Sequence, residues 1–87
     1  MSTVLVTGGS GVNGPWVLRS LVEQGIRVIN YDARKDTSLY ADISHKVETL
    51  VGDILDLPNL INTLKRYDVD RIVHLAAIMP DPLEAKA

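Results

Sequence analysis

The sequence lacks several features that whole classes of protein require. It contains no cysteine, which excludes disulfide bonds, thiolate zinc sites and a thiol nucleophile. Its formal net charge is −2, so no basic face is expected and nucleic acid is not a predicted partner. No apolar run approaches the roughly 18 residues that cross a membrane, and no basic segment followed by an apolar one marks a secretory signal. A cytoplasmic protein without a membrane partner is therefore the expectation.

The composition is that of a folded domain rather than a disordered segment. Of the 87 residues, 46% are hydrophobic and 23% are charged, which is ordinary for a globular chain. A chain of this length is expected to form one small domain with its own core, but it is short for a complete enzyme.

Apolar runs alternate with helical repeats in the first part of the chain. Residues from Thr3 to Val6 are all apolar or β-branched, which is typical of a parallel strand covered on both faces. A helix is predicted from about Val12 to Gln24, since Pro15 lies in its first turn and Gly25 follows as a stop. The run from Ile26 to Tyr31 is the second predicted strand.

The second half of the chain repeats this alternation. Lys46 to Val51 is predicted to form a short third strand, and Arg71 to Leu75 a fourth. Between them, apolar residues from Leu57 to Leu64 recur every three or four positions, which predicts a helix with Asp56 as its N-cap. The polar stretch 34–38 is predicted to be a loop or one irregular turn.

This order of elements indicates a fold class. Strand, helix, strand, strand, helix, strand is the opening of an α/β doubly wound fold. Right-handed crossovers predict a Rossmann-like parallel sheet with the first four strands in the order 3-2-1-4. Such folds continue beyond the fourth strand, so strand 71–75 is expected to need the rest of the fold or an oligomeric partner to cover it. Residues 1–87 are therefore interpreted as an amino-terminal fragment or a truncated product, without a substrate domain.

Three regularly spaced glycines, Gly8, Gly11 and Gly14, lie where the first strand gives way to the first helix. Gly8 would permit the turn out of the strand, Gly11 would let the backbone approach a pyrophosphate, and Gly14 would let the helix pack on the sheet. The phosphates would then rest on free N–H groups and on the positive end of the helix dipole. Asp32 ends the second strand about 20 residues further on, where a carboxylate accepts hydrogen bonds from an adenosine ribose. The combination predicts a dinucleotide-binding turn.

Residues after the second strand bear on which dinucleotide is bound. The carboxylate of Asp32 would repel a 2′-phosphate, which favours NAD over NADP. Arg34 and Lys35 follow immediately and could pair with such a phosphate, although a solvated loop explains them equally well. NAD is the predicted cofactor and NADP the alternative.

Four motifs together resemble the extended short-chain dehydrogenase/reductase family, and within it the NAD-dependent epimerase/dehydratases that act on nucleotide sugars. The motifs are the glycine turn 7–14, Asp32, residues 52–54 and residues 74–77. The resemblance implies that Asp53 contacts the adenine amino group and that Ile54 packs on the adenine ring. It also implies that residues 75–77 pass beside the ribose and nicotinamide. The alternative role for Asp53 is a turn or N-cap carboxylate.

The predicted cofactor site combines the glycine turn, the end of the second strand and the two later motifs. Its residues are Gly8, Ser10, Gly11, Val12, Asn13, Gly14, Asp32, Arg34, Asp53, Ile54, Leu75, Ala76 and Ala77. Asn13 departs from the apolar residue usual in the family, and its amide would either reach a phosphate oxygen or weaken the packing under the helix start. Trp16 is predicted to be a packing residue.

No catalytic or metal site is predicted. The family's chemistry uses a tyrosine and a lysine four residues later on one helix as general acid/base. Tyr31 and Lys35 have this spacing, but they straddle a strand end, where no helix aligns them. His74 is predicted to be a core histidine or part of a strand end, and His45 to be exposed, neither with neighbours at metal-ligand spacing. Asp42 is expected to be a solvated loop charge.

Three functions are consistent with this sequence. The preferred one is the cofactor-binding part of an NAD-dependent epimerase, dehydratase or reductase, with hydride transfer at a carbinol of a nucleotide sugar. The base and the substrate pocket would then belong to a part of the protein outside these residues. The alternatives are a dinucleotide-binding or regulatory module without catalysis, and an inactive truncated fragment.

Overall fold

Strands and helices alternate along the part of the chain that the structure describes, residues 2–11 and 13–75. None of the helices in those ranges is long and apolar enough to cross a membrane. The elements of this computed structural model are β1 (Thr3–Thr7), α1 (Gly14–Glu23), β2 (Arg27–Asp32), a 3₁₀ helix (Ser38–Lys46), β3 (Val47–Val51), α2 (Leu57–Arg66) and β4 (Arg71–His74).

The strands form a parallel sheet in the order β3-β2-β1-β4. This confirms the predicted Rossmann-like strand order. In the register of the sheet, Thr7 at the end of β1 lies beside Tyr31 of β2 and His74 of β4. The carboxyl ends of the strands therefore meet at one edge, which is where ligands bind in open α/β sheets.

Side chains of successive strand residues pack on opposite faces of the sheet. On one face the buried core packs with α1 and the 3₁₀ helix and comprises Val4, Val6, Leu18, Val28, Tyr40 and Val47. The other face packs against α2 through Leu5, Ile29 and Tyr31. Because both faces of β1 and β2 are covered, the sequences of these strands show no polar alternation.

Capping residues define where the helices start and stop. The carboxylate of Asp56 accepts a hydrogen bond from the backbone N–H of Asn59 at 3.3 Å, which confirms the predicted N-cap of α2. Gly25 follows α1 with a φ of 76°, a left-handed conformation that favours glycine after a helix. The predicted range from Val12 to Gln24 is longer than α1, which runs from Gly14 to Glu23.

The chain between β2 and β3 contains an element that was not predicted. The predicted loop 34–38 has no helix or strand over residues 34–37, and after it Ser38–Lys46 forms 3₁₀ structure interrupted by a kink at Tyr40. Tyr40 is fully buried although its neighbour Leu39 is 54% exposed. A 3₁₀ segment with few apolar residues shows no repeat of 3.6 residues, so periodicity does not reveal it.

Several large apolar side chains of the described residues remain on the surface, and two of them bear on the predictions. Trp16 is 75% exposed, so its predicted packing role is wrong; α1 instead buries Gly14, Pro15 and Leu18. Ile72 of β4 is 52% exposed, and within the described residues β4 pairs only with β1. What covers β4 remains a prediction.

An ion pair fastens the 3₁₀ helix to α1. The guanidinium of Arg19 donates to the Asp42 carboxylate at 2.6 Å and to the carbonyl oxygen of Leu39 at 3.0 Å. Asp42 is exposed, as expected of a solvated charge, but its ion pair with Arg19 was not predicted. The hydrogen bond from Arg19 lowers the pKa of Asp42, and the same bond raises the pKa of Arg19.

The lowered pKa of Asp42 predicts a small dependence of stability on pH. An aspartate with a lowered folded-state pKa stabilises the fold above its unfolded pKa, about 3.9, and loses this contribution as the pH falls through the folded-state value. Asp42→Asn is expected to unfold at slightly lower urea concentration than wild type near pH 7. The effect is small because the pair is exposed, and the difference should shrink below about pH 4. An equal difference in urea midpoint at both pH values would contradict this.

Candidate functional site

A tight turn links β1 to α1 at the carboxyl edge of the sheet. Gly8 has a φ of 75°, a conformation that disfavours any residue with a side chain. Its N–H donates to the carbonyl oxygen of Tyr31 at 3.1 Å, and its carbonyl oxygen accepts from the N–H of Gly11 at 3.2 Å. The turn therefore doubles back directly beside the end of β2.

Two side chains of β2 accept hydrogen bonds from backbone N–H groups of the glycine turn. The N–H of Gly9 donates to the amide oxygen of Asn30 at 2.9 Å. The N–H of Ser10 donates to the carboxylate of Asp32 at 3.0 Å. Since Asn30 and Asp32 are two positions apart, their side chains lie on the same face of the sheet, and they bind consecutive N–H groups.

The glycines of the motif differ in whether the neighbouring atoms leave room for a side chain. A Cβ on Gly14 would collide with the backbone of Gly9, so the start of α1 and the turn touch backbone to backbone. A Cβ on Gly9 would meet the amide of Asn30. A Cβ on Gly11 would meet nothing closer than the Gly8 carbonyl oxygen at 3.4 Å, an ordinary contact, and Gly11 is exposed. Packing within the chain thus requires Gly9 and Gly14, whereas at Gly11 it leaves open space.

Most N–H groups of the turn are already engaged. Those of Gly8, Gly9, Ser10, Gly11 and Gly14 all donate to oxygen atoms of the protein, and Pro15 has no N–H. Within the described part of the chain, no hydrogen bond engages the N–H of Asn13. An anion at this turn would therefore meet the N–H of Asn13, next to the positive end of the α1 dipole.

Asn13 is the N-cap residue of α1, but its side chain makes no capping hydrogen bond. The residue is exposed, so its amide is not buried beneath the helix start. Contact of the Asn13 amide with a phosphate oxygen stays a prediction. The other role considered, weaker packing under the start of α1, finds no support because Asn13 is exposed.

The end of β2 presents a carboxylate beside the turn. Asp32 is half-buried, and its second oxygen lies 3.5 Å from the backbone N–H of Arg34. Each carboxylate oxygen has two lone pairs, so these bonds leave room for hydroxyl donors. The side chains of Arg34 and Lys35 are exposed in the loop that follows.

The later motifs lie at the same edge of the sheet. The N–H of Gly52 donates to the carbonyl oxygen of Asp32 at 2.8 Å, which holds the end of β3 beside the end of β2. Asp53 is exposed and its carboxylate accepts from the N–H of Leu55 at 2.9 Å, so its alternative role in a turn is observed. Contact with adenine stays a prediction for Asp53 and for the half-buried Ile54.

The segment after β4 is described only at its first residue. The N–H of Leu75 donates to the carbonyl oxygen of Thr7 at 2.9 Å, so this segment begins beside the glycine turn. The roles predicted for Val12, Ala76 and Ala77 fall outside the described residues.

The histidine of β4 lies at the end of the strand and not in the core. His74 is exposed, and its Nδ1 lies 2.7 Å from the hydroxyl of Thr7. The prediction of a core histidine is therefore wrong, and the alternative, a residue at the strand end, is observed. His45 is exposed, as predicted.

None of the chain's tyrosines is placed to act as a general acid or base at this edge. Tyr31 is 1% exposed, and its hydroxyl accepts from the side-chain amide of Asn59, while Lys35 is exposed. Tyr40 is buried and bonds to Thr49. Tyr67, the third tyrosine, follows α2 next to Arg66. The rejection of Tyr31 and Lys35 as a catalytic pair agrees with this geometry.

Sequence reasoning missed the residues that support the turn from within. Asn30 is fully buried and also donates to the hydroxyls of Ser10 and Tyr40. One signal was available, because Asn30 is a polar residue inside the apolar strand sequence Ile26–Tyr31. Tyr40 carried no such signal, since its partner lies ten residues away in another element.

Known proteins similar to this chain include enzymes that act on nucleotide sugars. CDP-glucose 4,6-dehydratase of Salmonella typhimurium is 33% identical over 78 residues, which cover 85% of this chain and 22% of that protein. The UDP-glucose-4-epimerase of Stenotrophomonas maltophila, solved with NAD and formylated UDP-arabinopyranose, superposes with a TM-score of 0.84 at 27% identity, covering 99% of this chain and 27% of that one. The dTDP-glucose 4,6-dehydratase of Bacillus anthracis, solved in complex with NAD, superposes with a TM-score of 0.82 at 26% identity, covering 90% and 27%.

The chain spans about a quarter of the length of these relatives. The family described as NAD dependent epimerase/dehydratase matches residues 4–86, which is nearly the whole sequence. With its parallel sheet and glycine turn, the chain belongs to the NAD-dependent epimerase/dehydratase family.

Proposed function

We propose that these residues bind NAD as the Rossmann-type cofactor-binding part of an NAD-dependent epimerase/dehydratase. The observation that carries the proposal is the pairing of the glycine turn with Asp32. The Asp32 carboxylate accepts a hydrogen bond from the N–H of Ser10 at 3.0 Å. This bond joins Asp32, the predicted ribose site, to the glycine turn, the predicted phosphate site. A turn of this kind followed by a helix and an acidic residue is the dinucleotide fingerprint.

The residues at the carboxyl edge fit a dinucleotide in one orientation. The pyrophosphate would lie on Gly11 and the start of α1, with the adenosine ribose on Asp32. The adenine would continue toward Asp53 and Ile54, beyond the end of β3. In the opposite direction, the nicotinamide half would extend along the segment that starts at Leu75.

The bound nicotinamide would supply hydride chemistry, while this chain's own residues hold and orient the cofactor. Among the described residues, the hydroxyls of Tyr31 and Tyr40 are engaged inside the fold and Tyr67 follows α2, so none of the three tyrosines is a candidate general acid/base at the glycine turn. We propose that this group and the substrate pocket belong to the remaining part of an enzyme of this family. The nucleotide-sugar names of the relatives support a nucleotide sugar, or a similar carbinol, as the substrate class.

Direct titration tests the proposal. We expect the folded 87-residue chain to bind NAD saturably with a stoichiometry near one by isothermal titration calorimetry, and to show no epimerase, dehydratase or dehydrogenase activity alone. Folding is checked on the same sample by a cooperative urea transition. A folded chain that binds no NAD would overturn the proposal.

A binding module without catalysis is the second candidate. The burial of Tyr31 and Tyr40, whose hydroxyls are engaged inside the fold, agrees with this candidate as well as with the first. The two candidates differ in whether a longer form of the protein catalyses hydride transfer. NAD turnover with nucleotide sugars by the longer form would exclude the module, and NAD binding without turnover would support it.

The charge of Asp32 is expected to decide between NAD and NADP. Asp32→Asn keeps an oxygen that can accept from the N–H of Ser10 but removes the charge that repels a 2′-phosphate. We expect NAD to bind more weakly and NADP relatively better, so that the ratio of their Kd values changes by about tenfold, or about 1.4 kcal/mol. Arg34 and Lys35 could then pair with the 2′-phosphate of NADP, because the negative charge of Asp32 would no longer repel it.

Asp36→Asn is the matched control for Asp32→Asn. Asp36 lies in the exposed loop that follows β2, and its carboxylate bonds to Ser38 and not to the glycine turn. We expect Asp36→Asn to have the same ratio of Kd values for NAD and NADP as wild type. Equal ratios in both variants would remove Asp32 from the ribose site.

A further inference from the structure

A buried chain of side-chain hydrogen bonds runs beneath the glycine turn. Asn30 is 0% exposed; its amide oxygen accepts from the N–H of Gly9 at 2.9 Å. Its amide nitrogen donates to the hydroxyl of Ser10 at 3.1 Å and to that of Tyr40 at 2.9 Å. The Tyr40 hydroxyl in turn lies 2.9 Å from that of Thr49 in β3.

The direction of the bonds made by Asn30 follows from its amide chemistry, whereas between Tyr40 and Thr49 either hydroxyl can donate. A primary amide has two hydrogens to donate and an oxygen that accepts, and Asn30 uses all of them. The hydroxyl of Tyr40 accepts from Asn30, so its single hydrogen is free to be donated to Thr49. If the amide rotated by half a turn, the N–H of Gly9 would face another N–H group and lose its acceptor. The contacts with Tyr40 and Ser10 therefore keep the amide oxygen directed at Gly9.

These bonds serve the turn more than they serve the core. In the register of the sheet Asn30 lies beside Val6 of β1, and Val6 belongs to the apolar cluster on this face, so an apolar residue in place of Asn30 would fill the same kind of space. Burying an amide is costly unless every polar atom has a partner. The partners of Asn30 in the turn, Gly9 and Ser10, are consecutive residues at its tip.

We propose that Asn30, oriented by Tyr40 and Thr49, is a positioning residue that fixes the glycine turn in its cofactor-binding conformation. The inference rests on the proposed function, since the turn is taken to be the phosphate site. It gives the 3₁₀ helix a role in cofactor binding, because that helix supplies Tyr40. It also explains why Gly9 is glycine, since a Cβ there would displace the Asn30 amide from its bond.

Tyr40→Phe tests the proposal with a small change. The phenyl ring keeps the packing of the core, while loss of the hydroxyl leaves one Asn30 hydrogen without its partner. We expect NAD to bind about tenfold more weakly, which corresponds to about 1.4 kcal/mol, at a temperature where the variant is fully folded. We also expect faster hydrogen exchange at the backbone amides of Gly9 and Ser10.

A pair of identical substitutions separates positioning from general stability. Thr49→Val removes the end of the hydrogen-bond chain, whereas Thr63→Val removes a hydroxyl that donates to the carbonyl of Asn59 within α2 at 2.8 Å. Both are expected to lower the urea midpoint. Only Thr49→Val is expected to weaken NAD binding and to speed exchange at Gly9 and Ser10.

The outcomes distinguish this inference from the function on which it rests. If wild type binds NAD and Tyr40→Phe binds it equally well, with unchanged exchange at Gly9, the positioning role is wrong and the proposed function stands. If folded wild type binds no NAD, the proposed function fails and the positioning role fails with it. Weaker binding in Thr63→Val, equal to that in Thr49→Val, would assign the effect to general stability and overturn the positioning role.

Discussion

Gly11→Ala is expected to weaken NAD binding by at least about tenfold, or about 1.4 kcal/mol, without destabilising the fold. The physical reason is that the pyrophosphate must approach the backbone at this position. The structure leaves the space above Gly11 open, with the nearest atom 3.4 Å from an added Cβ. The methyl group would therefore occupy space that the chain itself does not use.

The stability of Gly11→Ala provides the internal control. Gly11 does not have a positive φ, so alanine can adopt its conformation without the strain expected at Gly8. A compatible replacement of glycine by alanine stabilises a protein by about 0.4–1 kcal/mol, because it restricts the unfolded chain. We expect a urea midpoint equal to or slightly above that of wild type. Unchanged NAD affinity in this folded variant would show that phosphate does not bind over Gly11.

Gly14→Ala is expected to have the opposite effect, a loss of stability of about 3 kcal/mol or more. An added Cβ would collide with backbone atoms of Gly9, and backbone cannot rotate away as a flexible side chain can. Alanine is favoured over glycine within a helix by about 1 kcal/mol, which is too little to offset this collision. The loss is measured as a lowered urea midpoint, with NAD binding lost as the turn is displaced from α1.

Replacing Gly11 or Gly14 by alanine thus separates the requirements for ligand binding from the requirements for packing. Gly11→Ala tests access of a ligand to the turn, and Gly14→Ala tests contact between the turn and the helix. If Gly14→Ala were as stable as wild type, the close approach of α1 to the turn would be wrong. If both variants lost binding and stability to the same degree, Gly11 would have a packing role that the structure does not show.

Much of the fold was predictable because its signals are local. The apolar runs of β1 and β2 indicate buried parallel strands, and the order of elements limits the topology through right-handed crossovers. The N-cap Asp56 and the stop at Gly25 act on residues within one turn of themselves. The turn conformation of Gly8 was also predicted correctly, because it depends on a strand being followed at once by a helix. The contact of Gly14 was not, since a Cβ there would meet the backbone of Gly9 in the turn and not the sheet.

The gaps in the prediction concern residues whose environment is set by distant parts of the chain. Asp42 is exposed as expected, but its partner Arg19, which comes from α1, was not predicted. For His74 the sequence left the core and the strand end open, and the structure leaves it exposed beside Thr7 at the end of β4. Tyr40 is buried because the 3₁₀ helix folds over β2 and β3, and no local pattern around it indicates that.

The sequence by itself determined the parallel sheet, its strand order and the position of the glycine turn between β1 and α1. It could do so because periodicity, capping and glycine spacing act over a few residues. Only the tertiary structure decided that Asn30 and Asp32 hold the turn, and that Tyr40 orients the Asn30 amide. Their bonds join residues 10 to 22 positions apart, so these contacts exist only once β2 and the 3₁₀ helix have packed beside the turn.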